Sequence, residues 1–267
     1  MGLGRTLFTI AGAAALVGLL VAERRRPLRR QHHSDLPRNL RNFAMGASCA
    51  AVVAVVEVPI GQRIARDNLR RRRGFAQALP RPLRLIGAGL AMDYGFYWWH
   101  VATHRVPFLW RFHRVHHIDP DMDASTAVRF HFLDMLVSLP WRIVQIRLAG
   151  ASPKSLRWWR RFFNASILFH HANLRLPKGW DRALRTVLTT PEMHGIHHSK
   201  VRQERDSNYT SGISVWDRLH GTYRDRPAPR AIAIGVDERD EADLPIARSL
   251  TAPFRRTPAD TNADRTG

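Results

Sequence analysis

The sequence is poor in cysteine, lysine and acidic residues, and it lacks most motifs of soluble enzymes. Its only cysteine, Cys49, lies in an apolar run, which excludes a disulfide and favours a small buried side chain over a metal ligand. No H-E-x-x-H, G-x-S-x-G, G-x-G-x-x-G or P-loop sequence occurs. These absences argue against a zinc protease, a serine hydrolase and a Rossmann or P-loop nucleotide site.

The charge is strongly positive, with 42 Lys and Arg against 22 Asp and Glu, yet no zinc-finger, homeodomain or RRM motif is present. We therefore expect no nucleic-acid partner. Almost all of the positive charges are arginines, and many border apolar runs. Such a pattern indicates a membrane surface, where arginine heads meet lipid phosphates while apolar segments enter the bilayer.

Several apolar runs predict membrane helices. Residues 6–22 carry no charge and form a short predicted anchor, preferred over a signal peptide because the arginines follow the run. Residues 42–56 form a second run that Glu57 and Pro59 interrupt, which suggests a broken or re-entrant helix. Eight arginines follow in residues 61–84. If the second helix crosses the membrane, they lie outside, against the positive-inside tendency, so the topology of this region stays open.

The third apolar run, residues 85–99, contains one acid, Asp93, for which a structural role and a role near a site stay open. Trp98, Trp99 and Trp110 resemble an interfacial aromatic belt and place the region that follows at the cytoplasmic rim of the membrane. Residues 132–148 and 156–169, with a turn between them, predict an interfacial helical hairpin.

Histidine is the residue that this chain has in excess. Eleven of its fourteen histidines lie between positions 100 and 198, and eight of them form three clusters of the types H-x3-H and H-x2-H-H. Residues three and four apart share one face of a helix, so each cluster directs its imidazoles to one point. Imidazole is the commonest protein ligand for transition metals, and the number of clusters suggests two ions. The clustered residues are His100, His104, His113, His116, His117, His194, His197 and His198.

The other histidines receive different interpretations. His170 and His171 are consecutive and diverge on a helix, so we expect one to be a ligand and the other structural. The role of His131 stays open, whereas His32, His33 and His220 have no partner spacing and are interpreted as structural. Nearby acids suit a role as acceptors for the outer N–H groups of the ligand imidazoles, although each one taken singly is more simply interpreted as a solvated loop acid. They are Asp119, Asp121, Asp123, Glu192 and Asp217.

These motifs, in this order, resemble the fatty acid hydroxylase/sterol desaturase superfamily. The resemblance extends from Asp93 to Tyr223 and rests on the three histidine clusters, on residues 127–131 and 170–177, and on the closing sequence W-D-R-L-H-G-T-Y. Two positions depart from the family pattern: Phe132 replaces a common proline, and His220 replaces a phenylalanine. Neither is a predicted ligand, so the departures affect positioning rather than chemistry.

The resemblance implies an all-α integral membrane bundle with a cytosol-facing, histidine-rich helical cap. It also implies a di-iron centre, with His171 as the ninth ligand beside the eight clustered histidines. Members use O2 and electrons from a separate ferredoxin-, cytochrome- or reductase-type donor to hydroxylate or desaturate a lipid C–H bond. Histidine alone does not select iron, so a non-redox zinc-binding membrane protein is the alternative.

On this basis we divide the chain into three parts. Residues 1–84 are expected to form membrane anchor helices and a basic loop. Residues 85–225 are expected to form the hydroxylase-like catalytic domain, and residues 226–267 a polar, largely disordered tail. The arginine-flanked apolar runs favour an integral protein of the bacterial inner membrane with its metal site on the cytoplasmic side.

Overall fold

The computed structural model describes residues 3–31, 35–225, 232–236 and 245–255. Within these ranges the structure is built from helices, with no β-strand and only three isolated β-bridges. The prediction of an all-α fold is therefore confirmed. The helices of the first half are α1 Leu3–Arg25, α2 Asp35–Val52, α3 Val58–Arg71, α4 Phe75–Ala78, α5 Arg84–Arg105, α6 Pro107–His117 and α7 Phe132–Val137. Those of the second half are α8 Leu139–Ala149, α9 Pro153–His171, α10 Trp180–Leu184, α11 Pro191–His197, α12 Arg202–Arg205, α13 Val215–Leu219 and α14 Ile246–Thr251.

A π-helical segment, Val53–Glu57, joins α2 to α3 without a break. The sequence suggested that Glu57 and Pro59 interrupt the apolar run, but the helical path continues through them. A proline cannot donate its backbone nitrogen and clashes with the carbonyl four residues earlier in an α-helix. The wider turn of the π-helix preceding Pro59 accommodates this defect.

The stretch Leu36–Ala78 is the one helix among the described residues that is long and apolar enough to cross a membrane, judged by length and composition. Only 17% of its most apolar window is buried within the protein. Val55 on this stretch is 75% exposed, as expected for a side chain that faces lipid.

Helix α1 contains the predicted anchor, residues 6–22. From Ile10 onward its side chains are largely uncovered, and Ile10 and Val17 are each 59% exposed. For residues 3–9 the structure describes only the helical backbone, so the first part of the predicted anchor lies outside the described side chains.

Helix α5 lies at the centre of the bundle and packs against α6, α8 and α9. Its buried residues Ala88 and Met92 contact a core that includes Ile146, Leu156 and Trp159. The predicted hairpin is present as α8 and α9. Its turn contains Gly150 in the left-handed conformation, with φ of 66°, and α9 begins with a capping box formed by Ser152 and Ser155.

Part of the predicted disordered tail packs against the histidine-bearing region. Helix α14 leads into a 3₁₀ turn, Ala252–Phe254, which lies against α6. The buried Arg114 guanidinium donates hydrogen bonds to the carbonyls of Ala252 and Arg255. Residues 232–236 of the predicted tail are also described, and Ile234 and Val236 among them are buried. The rest of the predicted tail, and the pair His32 and His33, lie outside the described residues.

Candidate metal centre

Four helices supply the nine predicted metal ligands. His100 and His104 lie on α5, the H-x2-H-H cluster of residues 113–117 lies on α6, and His171 is the last residue of α9. The final cluster lies on α11, with His198 at the helix end. Each cluster keeps helical spacing, so its imidazoles project from one helix face towards the neighbouring helices.

The nine imidazoles form two groups. One ring nitrogen from each member of a group lies within 4.8 Å of those of all its other members. The five-histidine group contains His100, His104, His113, His117 and His197, and the four-histidine group contains His116, His171, His194 and His198. The two groups are adjacent, because the rings of His117 and His198 stack with centroids 4.2 Å apart.

Main-chain carbonyls fix the orientation of several of these rings. The Nδ1 atoms of His100, His171 and His197 lie 2.5, 2.7 and 2.8 Å from the carbonyl oxygens of Tyr209, Ile167 and Ser207, respectively. A carbonyl only accepts, so Nδ1 must carry the proton in each neutral ring, and Nε2 must carry the lone pair. This arrangement directs unprotonated Nε2 atoms into the two groups.

The lone pairs then meet without protons between them. Nε2 of His116 lies 3.0 Å from Nε2 of His171, and Nδ1 of His116 lies 3.2 Å from the carbonyl of Arg129. With both Nδ1 atoms protonated, neither Nε2 atom has a hydrogen to donate. The lone pairs of the two Nε2 atoms therefore repel each other, and a cation bound between the two nitrogens would remove that repulsion.

Burial keeps these imidazoles neutral. The pKa values of His100, His104, His116, His117, His194 and His198 are lowered well below the usual 6.5, first by loss of solvent and then by neighbouring histidines. The same burial lowers the pKa of His171 to about 4 and that of His197 to about 3, although carbonyl hydrogen bonds oppose the shift. Neutral imidazole is the form that binds metals.

The site also contains polar atoms that no protein group satisfies. Both ring nitrogens of His104, His117 and His198 are buried without a hydrogen-bond partner. Burying an imidazole nitrogen without a hydrogen-bond partner costs free energy of folding. Nine histidines in one place are therefore better explained by a ligand that they bind than by chance packing. The donor set fits two transition-metal ions, one in each group.

Among the described residues, three further histidines lie outside both groups. His131 caps α7, accepting from the Leu133 backbone nitrogen 3.1 Å away, and its other nitrogen lies 3.1 Å from the Leu250 carbonyl. His220 lies 3.1 Å from the Tyr94 hydroxyl and stacks on Tyr97, in agreement with a structural role. His170 is fully buried beside His194, but it belongs to neither group.

The predicted acidic partners mostly serve other functions. Asp119 and Asp123 form buried ion pairs with Arg38, at 2.8 and 2.5 Å, and Asp217 accepts from the backbone nitrogens of Tyr209 and Thr210. Both interpretations of these three acids, as partners of ligand imidazoles and as solvated loop residues, are therefore wrong, since all three are buried. Carbonyl oxygens take that role, because the ligand helices pack directly against neighbouring backbone.

Two acids that the sequence did not single out as imidazole partners lie closer to the imidazoles. Asp134 Oδ2 is 3.7 Å from Nδ1 of His113, and Asp206 Oδ1 is 3.7 Å from Nδ1 of His104. Asp93, left open by the sequence, is structural. Its Oδ2 accepts from Ile213 N at 3.0 Å and Trp216 Nε1 at 2.9 Å, which joins α5 to the segment that follows α12.

A cavity of about 280 Å³ opens from the two groups into the bundle. Five of the nine histidines lie at one end, and its walls are mainly apolar side chains of α5, α9 and the π segment. The wall residues include Val53, Phe96, Trp99, Phe130, Phe163 and Ile167. The two histidine groups therefore face a largely apolar cavity, as small-molecule binding sites commonly do.

Fold and site together define a class: an all-helical protein in which two adjacent groups of neutral histidines face an apolar cavity. The fatty acid hydroxylase family model matches residues 85–222, more than half of the chain, and the chain belongs to this family. The resemblance inferred from the histidine clusters is thus confirmed. No solved structure matches the chain with significance.

Curated relatives share part of the chain. Ornithine lipid hydroxylase OlsE of Rhizobium tropici is 32% identical over 178 residues, which cover 66% of this chain and 52% of that protein. Human alkylglycerol monooxygenase is 33% identical over 143 residues, 53% of this chain and 31% of that protein. Mouse cholesterol 25-hydroxylase is 24% identical over 155 residues, 54% and 47% of the two chains. The chain therefore spans about half or less of the length of these relatives.

Proposed function

We propose that this chain is a membrane-bound oxidoreductase that uses O2 and external electrons to hydroxylate a lipid C–H bond. The observation that carries the proposal is the connection between the two histidine groups and one apolar cavity. Family membership and the names of the relatives, all lipid hydroxylases or monooxygenases, support hydroxylation over desaturation.

The nine histidines would hold two iron ions, one in each group. An unactivated C–H bond is beyond side-chain acids and bases, and bound iron would supply the redox chemistry with O2. In the overall reaction one oxygen atom enters the C–H bond as a hydroxyl and the other leaves as water. Two electrons come from a separate ferredoxin-, cytochrome- or reductase-type donor, and two protons come from solvent.

The donor set favours this proposal over a zinc-binding protein. Structural zinc sites are almost always closed by four ligands, and five histidines in one group exceed that number. A histidine-only shell also remains neutral, so it leaves the charge of bound ions uncompensated. Of the nearby acids, Asp134 and Asp206 lie 3.7 Å from Nδ1 of His113 and His104, where their carboxylates would offset part of this charge.

The remaining residues bind and orient the substrate and exclude water. Phe130 stacks on His116 with centroids 4.2 Å apart, which closes that side of the ligand shell. The apolar walls admit a hydrocarbon chain and present one of its carbons to the histidine end. We place the protein in the bacterial inner membrane with its histidine site on the cytoplasmic side, because the aromatic belt and arginine-flanked helices favour that orientation.

The test is turnover of lipid by purified protein. Protein loaded with iron and supplied with a reducing system is incubated under ¹⁸O2 with a membrane lipid extract, and products are identified by mass spectrometry. We expect a lipid that gains one ¹⁸O atom, two irons per chain by elemental analysis, and coupled iron centres by Mössbauer spectroscopy. Protein that binds only zinc, or an iron-loaded protein that labels no lipid, would support the zinc-binding alternative.

A further inference from the structure

The cavity has a charged end as well as a histidine end. Glu57, Arg142 and Arg160 line it together with the five histidines. The Arg160 guanidinium donates to Glu57 Oε1 at 2.5 Å, and Arg142 Nε lies 3.3 Å from Glu57 Oε2. We call these three residues the arginine cluster. None of them belongs to the histidine groups or to the family motifs that identified the site.

The arginine cluster is placed where charge is costly. Glu57 is 6% exposed and ends the π segment in the middle of the helix that is apolar enough to span a membrane. Ionisable groups in so apolar a helix usually face a cavity and serve a function, and π segments frequently occur at functional sites. The position of Glu57 and the π-helical backbone therefore both indicate a functional role for this end of the cavity.

The cluster carries two cations and one anion, so it is positive by one charge. The other acid that lines the cavity, Asp134, is at the histidine end, 3.7 Å from His113 Nδ1. Arg142 also donates to the Ser138 hydroxyl at 3.2 Å, which satisfies a hydrogen bond but adds no negative charge. The Arg142 and Arg160 side chains are only 13% and 20% exposed, so an anion that enters through the cavity would stabilise this partly buried positive excess.

Helix α9 connects the two ends. Arg160, Phe163, Asn164, Ile167 and His171 all line the cavity and recur at intervals of three or four residues, so they form one stripe along the helix. Arg160 and His171 are eleven residues apart, which is about 16 Å along a helix. One helix face thus holds a charged contact, an apolar wall and a predicted metal ligand in order.

We propose that Arg142 and Arg160 bind the anionic group, a carboxylate or a phosphate, of the lipid whose hydrocarbon chain fills the cavity. This inference rests on the proposed function and narrows its substrate to anionic lipids. Glu57 holds the two guanidinium groups in place before the lipid binds and balances one of their charges. Arginine suits the role because its planar fork donates two parallel hydrogen bonds to either anion.

The geometry also limits where the lipid is attacked. The Phe96 ring centroid is 6.1 Å from the His100 ring centroid and 5.9 Å from Arg142 Cζ. His100 and Arg142 are therefore separated by no more than about 12 Å, the limit that these two distances set together. An extended hydrocarbon chain, with zigzag C–C bonds of about 1.5 Å, covers this separation in roughly ten bonds, so a carbon about ten bonds from the anionic group would reach the histidine end.

The test measures binding without turnover. Full-length, zinc-loaded protein in detergent is titrated with a brominated fatty acid, which quenches the fluorescence of Trp99 and Trp159 in the cavity wall. The matching brominated alcohol and trimethylammonium compound report the effect of charge, and a brominated lysophosphatidate separates phosphate from carboxylate. We expect the two anions to bind most tightly and the cation least.

Variants assign the effect to the cluster. Arg160→Gln should weaken anion binding roughly tenfold or more, the value of a charge-assisted hydrogen bond, and leave alcohol binding unchanged. Arg160→Lys retains the charge and should keep most of the affinity. Arg161→Gln is the matched control, because Arg161 lies over Trp158 and does not line the cavity.

Two outcomes would overturn the inference: equal binding of anionic and neutral probes, or an equal loss of both in Arg160→Gln. If Arg160→Gln fails to fold, two measurements still test the inference. They are the comparison between probes in the unmodified protein and anion binding by the Arg142→Gln variant. Since no oxygen, iron or reductant is present, anion binding can succeed while lipid labelling fails. The two experiments therefore distinguish a failure of this inference from a failure of the proposed function.

Discussion

Arg38 joins helix α2 to the loop that follows the second histidine cluster, and its loss should destabilise the protein. Arg38 is 4% exposed, and its guanidinium contacts Asp119 at 2.8 Å, Asp123 at 2.5 Å and the Thr126 hydroxyl at 3.0 Å. Replacing it with methionine keeps the apolar stem but leaves two carboxylates buried without their cation. Breaking a buried ion pair in this way costs about 3–5 kcal/mol.

The lower end of that range applies here, because other donors remain. Asn42 Nδ2 still donates to Asp119 at 2.9 Å, and the Ser125 backbone nitrogen donates to Asp123 at 2.8 Å. A loss of about 3 kcal/mol corresponds to a fall of roughly 6–12 °C in melting temperature for a protein of this size. Tryptophan fluorescence at one fixed scan rate, on metal-free protein in detergent, measures this shift.

Arg70→Met is the matched control. Arg70 also pairs with an aspartate, Asp67, but the distance is 3.7 Å and its side chain is 76% exposed. Solvent screens such a pair, so we expect no measurable shift. The double variant Arg38→Met/Asp119→Asn should regain part of the lost stability. The reasoning is refuted if Arg38→Met melts no lower than Arg70→Met.

Three further predictions concern the histidines and one turn. His171→Ala should lose bound metal by elemental analysis, whereas His170→Phe should retain it, because only His171 belongs to a histidine group. The melting temperature of metal-free protein should fall as the pH is lowered from 7.5 to 5.5. Unfolded imidazoles take up protons near pH 6.5, while folded ones such as His171, with a pKa of about 4, do not; an unchanged melting temperature would contradict this. Gly74→Ala should lower the melting temperature, because Gly74 has φ of 85° and an added Cβ would meet the Arg147 carbonyl, whereas Gly89→Ala in open helical space should not.

Local spacing was sufficient to choose eight of the nine histidines that the structure brings together, whereas His171 was chosen over His170 by the family resemblance. The H-x3-H and H-x2-H-H patterns depend only on helix geometry, which the sequence carries within a few residues. The division into groups depends on helix packing instead. His116 joins residues of α9 and α11, whereas His117, its neighbour, joins residues of α5. Spacing shows which rings share a face, but not which helix lies opposite.

Contacts between distant segments account for what the sequence missed. Asp119 and Asp123 were expected to hold imidazoles because they follow the second cluster, but Arg38, more than eighty residues away, takes them. Glu57 was interpreted as an interruption of an apolar run, and the arginines of the hairpin as contacts to lipid phosphates. In the sequence, Glu57 and these arginines share one feature, a charge inside an apolar segment. Only the packing of the helices shows that Arg142 and Arg160 contact Glu57.

The origin of the histidines in four separate helices has a consequence for the life of the protein in the cell. Ions held by residues as far apart in sequence as His100 and His198 would cross-link segments that otherwise meet through a cluster of unsatisfied nitrogens. The free energy of metal binding then adds to the free energy of unfolding. Chains made under iron starvation would therefore unfold more often and be degraded sooner. The amount of this protein would therefore follow the iron supply even at a constant rate of synthesis.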